Sequence, residues 1–141
     1  MAIKTYNPKD TTIVVGTHIV KDYDNGQFIE VAFEEDSYEH LSSADGIEMR
    51  IKKNDNRATA TITLMQSSES ATFLNGLFIA DRISDGGVLP FMLTDTRTGD
   101  LIVTEACWIR RAPTYTRGNS KEAISFQLSL SSPDIILGLP A

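Results

Sequence analysis

The sequence is poor in the residues that most often carry chemistry. It contains one cysteine and two histidines among 141 residues. An internal disulfide is therefore excluded, and a metal site built from recurrent Cys and His spacings is not predicted. Cys107 lies in an apolar stretch beside Trp108, so we interpret it as a small buried hydrophobe, and we interpret His18 and His40 as polar strand positions.

The usual enzymatic signatures are also missing. There is no G-x-S-x-G elbow, no phosphate-binding glycine loop and no H-E-x-x-H pair. The run Asp22-x-Asp24-x-Gly26 places its glycine one step too early for a calcium loop, and Phe33 stands where that loop needs glutamate. We therefore predict a plain turn there, no catalytic residue, no metal and no cofactor.

Long apolar runs are absent as well. No segment approaches the ~20 apolar residues of a membrane-spanning helix, and the N-terminus lacks the apolar run of a signal peptide. We expect a protein that is made and used without export and that has no membrane partner. The length fits one domain over residues 1–141, which would bury roughly 68% of its unfolded surface.

The chain has fewer basic than acidic residues. The chain has 13 Lys plus Arg against 19 Asp plus Glu, a formal net charge of -6. Tight binding to nucleic-acid phosphates depends on clustered cations and counterion release, so this charge argues against it. A surface that repels phosphate would nevertheless suit a conduit through which DNA passes.

Alternation is the strongest pattern that the chain does contain. Over residues 57–64 apolar residues alternate with threonines, which predicts a strand with one apolar face and one hydroxyl face. After Gln66 the apolar spacing changes to three and four residues, which predicts a helix over about residues 69–83. Ser67 or Ser68 is the expected N-cap, and the run 84–87 should end the helix.

Most of the remaining chain has strand character, so the residues predict a mostly antiparallel β fold covered by a single helix. Further strands are expected at 12–20, 28–34, 38–41, 47–52, 88–93, 101–109 and 122–130.

Three features of these strands give further expectations. Asp24-Asn25-Gly26 predicts a hairpin turn. The polar run 53–56 predicts the charged tip of a second hairpin spanning Ile47 to Leu64. Pro90 lacks an N–H and indicates a strand start or a sheet edge.

Two strands carry short, uncharged hydrogen-bonding side chains where a solvent face would favour Lys and Glu. These residues are Thr59, Thr61, Thr63, Ser125, Gln127 and Ser129. They form either a routine polar face or a face that lines a wet lumen or contacts another subunit.

The C-terminal tail, residues 133–141, is apolar. Burial of a large aliphatic side chain is worth roughly 1.5–3 kcal/mol, so the tail must dock either on its own sheet or on a neighbouring subunit.

The chain resembles the small tail-tube proteins of contractile-tailed bacteriophages, in several stretches that occur in the same order. They are Tyr6-Asn7-Pro8-Lys9, the run from Ala58 to Ser67 that leads into the helix, and Ala106-Cys107-Trp108-Ile109 with Pro113. The resemblance implies a β-sandwich or half-barrel with one flanking helix, related to the tube proteins of type VI secretion. It also implies hexameric rings that stack into a hollow tube inside a sheath.

Under this resemblance the sheets of neighbouring subunits would join into one barrel and leave no exposed edge. We expect the two polar rows to face the lumen together with Glu30 and Glu34, so that DNA slides without specific binding. We expect ring-to-ring contacts from the charged tip and bracing of adjacent subunits by the N-terminal arm (1–10) and the tail. The contact residues are Lys52, Lys53, Asn54, Asp55, Arg57, Ile135, Ile136 and Leu137.

The expected partners are further copies of the chain and the sheath, baseplate and tape-measure proteins, in a virion tail assembled in the host cytoplasm. Three alternatives stay open. A terminator or baseplate ring of the same fold would differ mainly in whether both ring faces stack. A monomeric β-sandwich binding module would show clustered exposed aromatics, and a small hydrolase would need a nucleophile and a base.

Overall fold

The computed structural model describes residues 3, 5, 7–24, 26–116, 118 and 122–138. Within these residues a 3-10 turn, Pro8–Asp10, precedes ten strands and one α-helix, α1 (Glu69–Ser84). The strands are β1 (Thr11–Val15), β2 (His18–Ile19), β3 (Ile29–Phe33), β4 (Tyr38–Ser42), β5 (Glu48–Lys52), β6 (Ala58–Met65), β7 (Leu89–Asp95), β8 (Asp100–Arg111), β9 (Ala123–Leu130) and β10 (Asp134–Ile136). The predicted mostly β fold with one helix is confirmed.

One antiparallel sheet holds eight of these strands. Its order among the described residues is β2-β1-β7-β8-β9-β6-β3, and β10 pairs with residues 101–103 of β8. The sheet is strongly curved, because the segment between β2 and β3 hydrogen-bonds to two strands that are far apart in this order. Val20 N–H donates to the Ile13 carbonyl on β1 at 2.9 Å, and Asp24 N–H donates to the Thr63 carbonyl on β6 at 3.1 Å. The sheet therefore has the form of a half-barrel.

The core lies on the inner face of the curved sheet and follows the period-two pattern. Along β6 the apolar residues at 58, 60, 62 and 64 are at most 2% exposed, while the threonines between them are half-buried. Phe126 on β9, which pairs with Ile62, and Phe91 on β7 are fully buried in the same core. The predicted apolar faces of these strands are confirmed.

The helix closes one side of the core and matches its prediction closely. Ser68 is the N-cap, and its hydroxyl accepts a hydrogen bond from Ser70 N–H at 3.1 Å. Leu74 is fully buried against the sheet. Asp85 adopts a left-handed conformation with φ of 58° and ends the helix.

The strand predicted over residues 12–20 is wrong as a single element. Gly16, with φ of 64°, turns the chain back, and Val14 on β1 pairs with Ile19 on β2. A positive φ is accessible to glycine at little cost, so Gly16 permits a tight turn inside a β-branched run. The prediction of a hairpin at Asp24-Asn25-Gly26 is also wrong, since β2 pairs with β1 and β3 pairs with β6. Asn25 itself lies outside the described residues.

The hairpin predicted from Ile47 to Leu64 is wrong too. β5 pairs with β4, with Leu41 opposite Met49, and β6 pairs with β3 and β9. Both β4 and β6 are adjacent to β5 in sequence, so alternation alone does not select its partner. Residues 52–57 consequently connect β5 back to the main sheet and are not a hairpin tip.

Pro90 lies at the second position of β7, as expected for a strand start, but β7 is paired on both sides by β1 and β8. The missing N–H is accommodated because the register with β8 shifts between Leu89 and Phe91. The edge interpretation of Pro90 is therefore wrong.

Among the described residues, the helix is too short and too polar to cross a bilayer.

Candidate functional site

The two polar rows predicted from the sequence lie side by side. In the β6–β9 pairing Thr59 is opposite Ser129, Thr61 is opposite Gln127 and Thr63 is opposite Ser125. The hydroxyl oxygens of Thr63 and Ser125 are 3.1 Å apart. We call this surface, which lies on the side of the sheet away from the core, the polar face. Glu30 belongs to it because it pairs with Thr61 across β3 and β6.

One end of the polar face is organised by an ion pair. Arg110 Nη1 donates to Glu34 Oε1 at 2.9 Å and to Thr59 Oγ1 at 3.1 Å, and the Thr59 hydroxyl also donates to Glu34. The hydrogen bond from Thr59, together with the Arg110 charge, lowers the pKa of Glu34. Glu34 is therefore ionised at neutral pH, with its charge matched by a neighbouring cation.

The sequence analysis missed the residues that β8 contributes to the polar face, including Trp108 and Arg110. Trp108 is opposite Ser129 on β9, and its side chain is partly exposed. The signal was available, because Cys107 and Ile109 are buried and the residues between and after them must point the other way. The polar face thus carries an aromatic ring and a paired arginine in addition to its small polar groups.

A second surface feature is the hairpin of β4 and β5, which we call the arm (residues 38–52). Its strands pair with each other and with no other strand in the described chain. Cross-strand pairing places its large aliphatic side chains on one side, the apolar face of the arm. These residues and their exposures are Leu41 41%, Ile47 69%, Met49 61% and Ile51 38%.

The opposite side of the arm is polar and mostly basic. Arg50 lies over the ring of Tyr38, 4.2 Å from its centroid, and His40 Nε2 is 3.3 Å from Glu48 Oε1. Lys52 is on the same side, opposite Tyr38. An isolated two-stranded hairpin is marginally stable in water. The arm has a well-defined amphipathic pattern, and the described chain does not cover its apolar face.

The residues predicted for ring-to-ring contact lie at the base of the arm. Lys53 Nζ is 3.1 Å from Glu39 Oε2, and its backbone N–H donates to the Ser37 carbonyl at 2.8 Å. Arg57 binds Asp55 through two side-chain bonds, the shorter 2.6 Å, and this lowers the pKa of Asp55. Lys52 and Asn54 are exposed. Their role in contacts between copies stays a prediction.

The C-terminal tail docks in part on its own sheet. Ile135 pairs with Ile102 and packs against the core, whereas Ile136 and Leu137 are 42% and 74% exposed. Residues 139–141 and parts of the N-terminal arm, including Tyr6, lie outside the described residues. Bracing of neighbours by these ends stays a prediction.

An open cavity of about 630 Å³ lies at the end of the half-barrel away from the arm. The stacked rings of Tyr23 and Phe28, with centroids 4.5 Å apart, form part of its wall together with Met65. Asp24 and Glu122 stand among the lining residues. The cavity is mainly apolar and has acidic groups on its lining.

The remaining candidate groups are His18, Ser70 and Cys107, and each is held by contacts within the fold. His18 Nε2 is 2.9 Å from Ser70 Oγ, and its ring stacks on Phe73. Ser70 is 1% exposed, so it is not available as a nucleophile. Burial raises the pKa of Cys107 to about 12, which makes this thiol inert. No cluster suited to a metal ion occurs among the described residues.

Comparison with known families gives one match over most of the chain. Residues 10–138 match the family described as the bacteriophage PhiTE tail tube protein. No curated protein sequence matches.

Three solved structures share the fold. The sheath/tube terminator of an extracellular contractile injection system (PVC, extended state) has a TM-score of 0.64 at 7% identity, covering 96% of this chain and 99% of its own. The tube-terminating cap of the anti-feeding prophage has a TM-score of 0.62 at 9% identity, covering 97% of this chain and 95% of its own. A chain of the gene transfer agent virion has a TM-score of 0.61 at 12% identity, covering 94% and 99% respectively.

Proposed function

The chain belongs to the bacteriophage PhiTE tail tube protein family, and on that premise we propose that its copies close into hexameric rings that stack into a hollow tube. It is a structural tail protein and not an enzyme. In this proposal the tube lies in the virion tail, is assembled in the host cytoplasm, and conducts DNA during ejection. Its further partners are the sheath, baseplate and tape-measure proteins.

The arm is the observation that carries this proposal. Four large aliphatic side chains are exposed on one face of a two-stranded hairpin, and a monomer gains nothing from presenting them to water. At roughly 25 cal/mol per Å² of apolar area, covering this face stabilises contact between copies without specific polar chemistry. Self-association is the simplest function for such an element.

Edges of the main sheet support closure into a ring. β2 and β3 end the strand order, so each has one edge without a strand partner in the described chain. Exposed edges invite pairing with other chains. In a closed ring, edges of neighbouring copies meet and the joined sheets form one barrel.

The polar face is the proposed lumen surface. Its hydroxyl and amide groups offer weak hydrogen bonds; of the two arginines at one end of it, Arg110 is paired with Glu34, and Arg111 is exposed opposite Gln127. A wall with so few cations has little attraction for phosphates. DNA would therefore slide past it without being held.

Assembly is tested by sedimentation velocity and negative-stain electron microscopy of the purified chain over a range of concentrations. We expect particles of six times the 15.5 kDa chain mass and tubes of constant diameter. A monomer that persists at high concentration, including after addition of a baseplate complex as nucleus, would contradict the proposal.

The lumen assignment is tested by Thr61→Lys, which adds one cation per copy at the centre of the polar face. We expect slower DNA release from assembled particles, and a steeper dependence of the rate on salt. Thr12→Lys is the matched control on β1, outside the polar face. Equal rates for both variants would place the polar face elsewhere than in the lumen.

A tube terminator is the second candidate, because two of the similar structures are terminating proteins of contractile systems. Identities of 7% and 9% show a shared fold alone. Microscopy separates the two functions, since a terminator forms single rings and caps tubes made by another protein.

A further inference from the structure

The arm and the cavity lie at opposite ends of the same two strands. Phe33 and Ala58 are paired at the end of β3 and β6 from which the arm leaves. Phe28 and Met65 lie at the other end and line the cavity. The seven steps from Ala58 to Met65 separate these ends by about 23 Å, at ~3.3 Å per step.

Because the arm and the cavity lie at opposite ends, they cannot contact each other within one molecule. They can do so between copies arranged head to tail, and such a heterologous contact repeats without limit along a stack. A two-fold dimer would instead bring identical surfaces together. This placement therefore favours stacking along the strand direction.

Their chemistry is complementary as well. The apolar face of the arm presents aliphatic side chains, including the flexible Met49, whereas Arg50 and Lys52 lie on the opposite side of the arm. The cavity presents the stacked rings of Tyr23 and Phe28, with the carboxylates of Asp24 and Glu122 and no cation among the described residues of its lining. Methionine packs well against aromatic rings, so the match between the two surfaces is one of apolar contact.

We propose that the apolar face of the arm occupies the cavity of the next copy along the tube. This inference rests on the proposed tube function and names the two surfaces that join successive rings. It also makes the chain competent to stack on both ring faces, which a terminating ring is not.

Crosslinking between two variants tests the pairing directly. Met49→Cys places a thiol on the apolar face of the arm, and Gly26→Cys places one at the cavity, where an added Cβ would lie 3.6 Å from Asp24 Oδ2. Both positions are exposed, and the buried Cys107 does not compete. A short bismaleimide is added to tubes that contain both variants. The amount of crosslinked dimer should be at least tenfold higher than in tubes made from either variant alone.

The matched control replaces Met49→Cys with Ser42→Cys, which lies on the opposite side of the arm. Equal crosslinking from Ser42 and Met49 would overturn the inference, as would tubes that form normally with no crosslinked dimer. In both cases the tube function would stand. If the unmodified chain formed neither rings nor tubes, the proposed function and this inference would fail together.

A second variant obstructs the cavity without changing the arm. Gly26→Trp should leave rings intact and reduce tube length at least tenfold. Gly76→Trp is the control, since an added Cβ on that exposed helical residue meets no described atom within 4 Å. Tubes of normal length from Gly26→Trp would contradict occupation of the cavity.

Discussion

The half-barrel and the arm follow the same sequence rule with different outcomes. In both, apolar and polar residues alternate along antiparallel strands. Phe126 and Ile62 in the half-barrel are fully buried, whereas Ile47 and Met49 in the arm are 69% and 61% exposed. The alternation identifies an apolar face that must be buried, but it does not show whether the same chain or another chain buries it.

The position of each region in the fold explains why the apolar face of the half-barrel is buried and that of the arm is exposed. The half-barrel closes over its own core, because the sheet curves and the helix covers its open side. The arm leaves the main sheet through residues 34–37 and 53–57, so neither the helix nor another described strand reaches it. An exposed apolar face in an otherwise well-buried fold indicates an interaction surface.

The largest expected effect comes from deleting one side chain in each region. Phe126→Ala should lower the free energy of unfolding by about 3–5 kcal/mol, because it leaves a cavity in a packed core. Met49→Ala should change the unfolding of the monomer by less than about 0.5 kcal/mol, but should raise the concentration needed for tube assembly. Urea denaturation of dilute monomer and light scattering of concentrated protein measure the two effects. If Met49→Ala destabilised the monomer as strongly as Phe126→Ala, the arm would belong to the folded core.

A smaller effect is expected where the helix rejoins the half-barrel. A Cβ at Gly87 would lie 2.6 Å from Asp81 Cβ and 2.9 Å from the Leu77 carbonyl oxygen. Gly87→Ala should therefore destabilise the fold by about 1–3 kcal/mol. Gly76→Ala, within the same helix and free of contacts, should stabilise it by about 0.5–1 kcal/mol. Thermal unfolding compares them, and a shift of the same sign in both variants would contradict this packing.

The smallest effect concerns acid stability. The pKa of Glu34 is lowered, first by the Thr59 hydrogen bond and then by Arg110. Its stabilisation is therefore present above the ordinary glutamate pKa of about 4.3 and is lost as the pH falls through the lower folded value. Glu34→Gln should melt below the parent at pH 7, and the difference should shrink as the pH falls below the ordinary glutamate pKa and through the lower folded pKa of Glu34. A constant difference in melting temperature across this range would show that the Glu34 charge is not responsible.

Local features were the most predictable part of the fold. The helix was predicted over about 69–83 and spans Glu69–Ser84, and Ser68 was one of two expected N-caps. The alternation along β6 and β9 also gave the correct faces. These features depend on the residues within a few positions, so the sequence shows them directly.

Strand partners were harder to predict, because pairing depends on residues distant in the chain. The turn at Gly16 was missed within a run of β-branched residues, and β5 was assigned to β6 when its partner is β4. At the candidate site, both polar rows were identified from alternation, but the pairing of β6 with β9 that brings them together was not predicted. Arg110 was missed, since the prediction for that strand ended at Ile109 and treated the strand as uniformly apolar.

Hydrogen exchange of the arm, before and after assembly, tests the central claim most directly. In the dilute monomer we expect fast exchange of the backbone amides in residues 38–52, because an uncovered two-stranded hairpin opens readily. In tubes the same amides should slow at least tenfold, while amides of the half-barrel core change little. Arm amides that exchange equally fast in monomers and tubes would contradict the claim that another copy covers the arm.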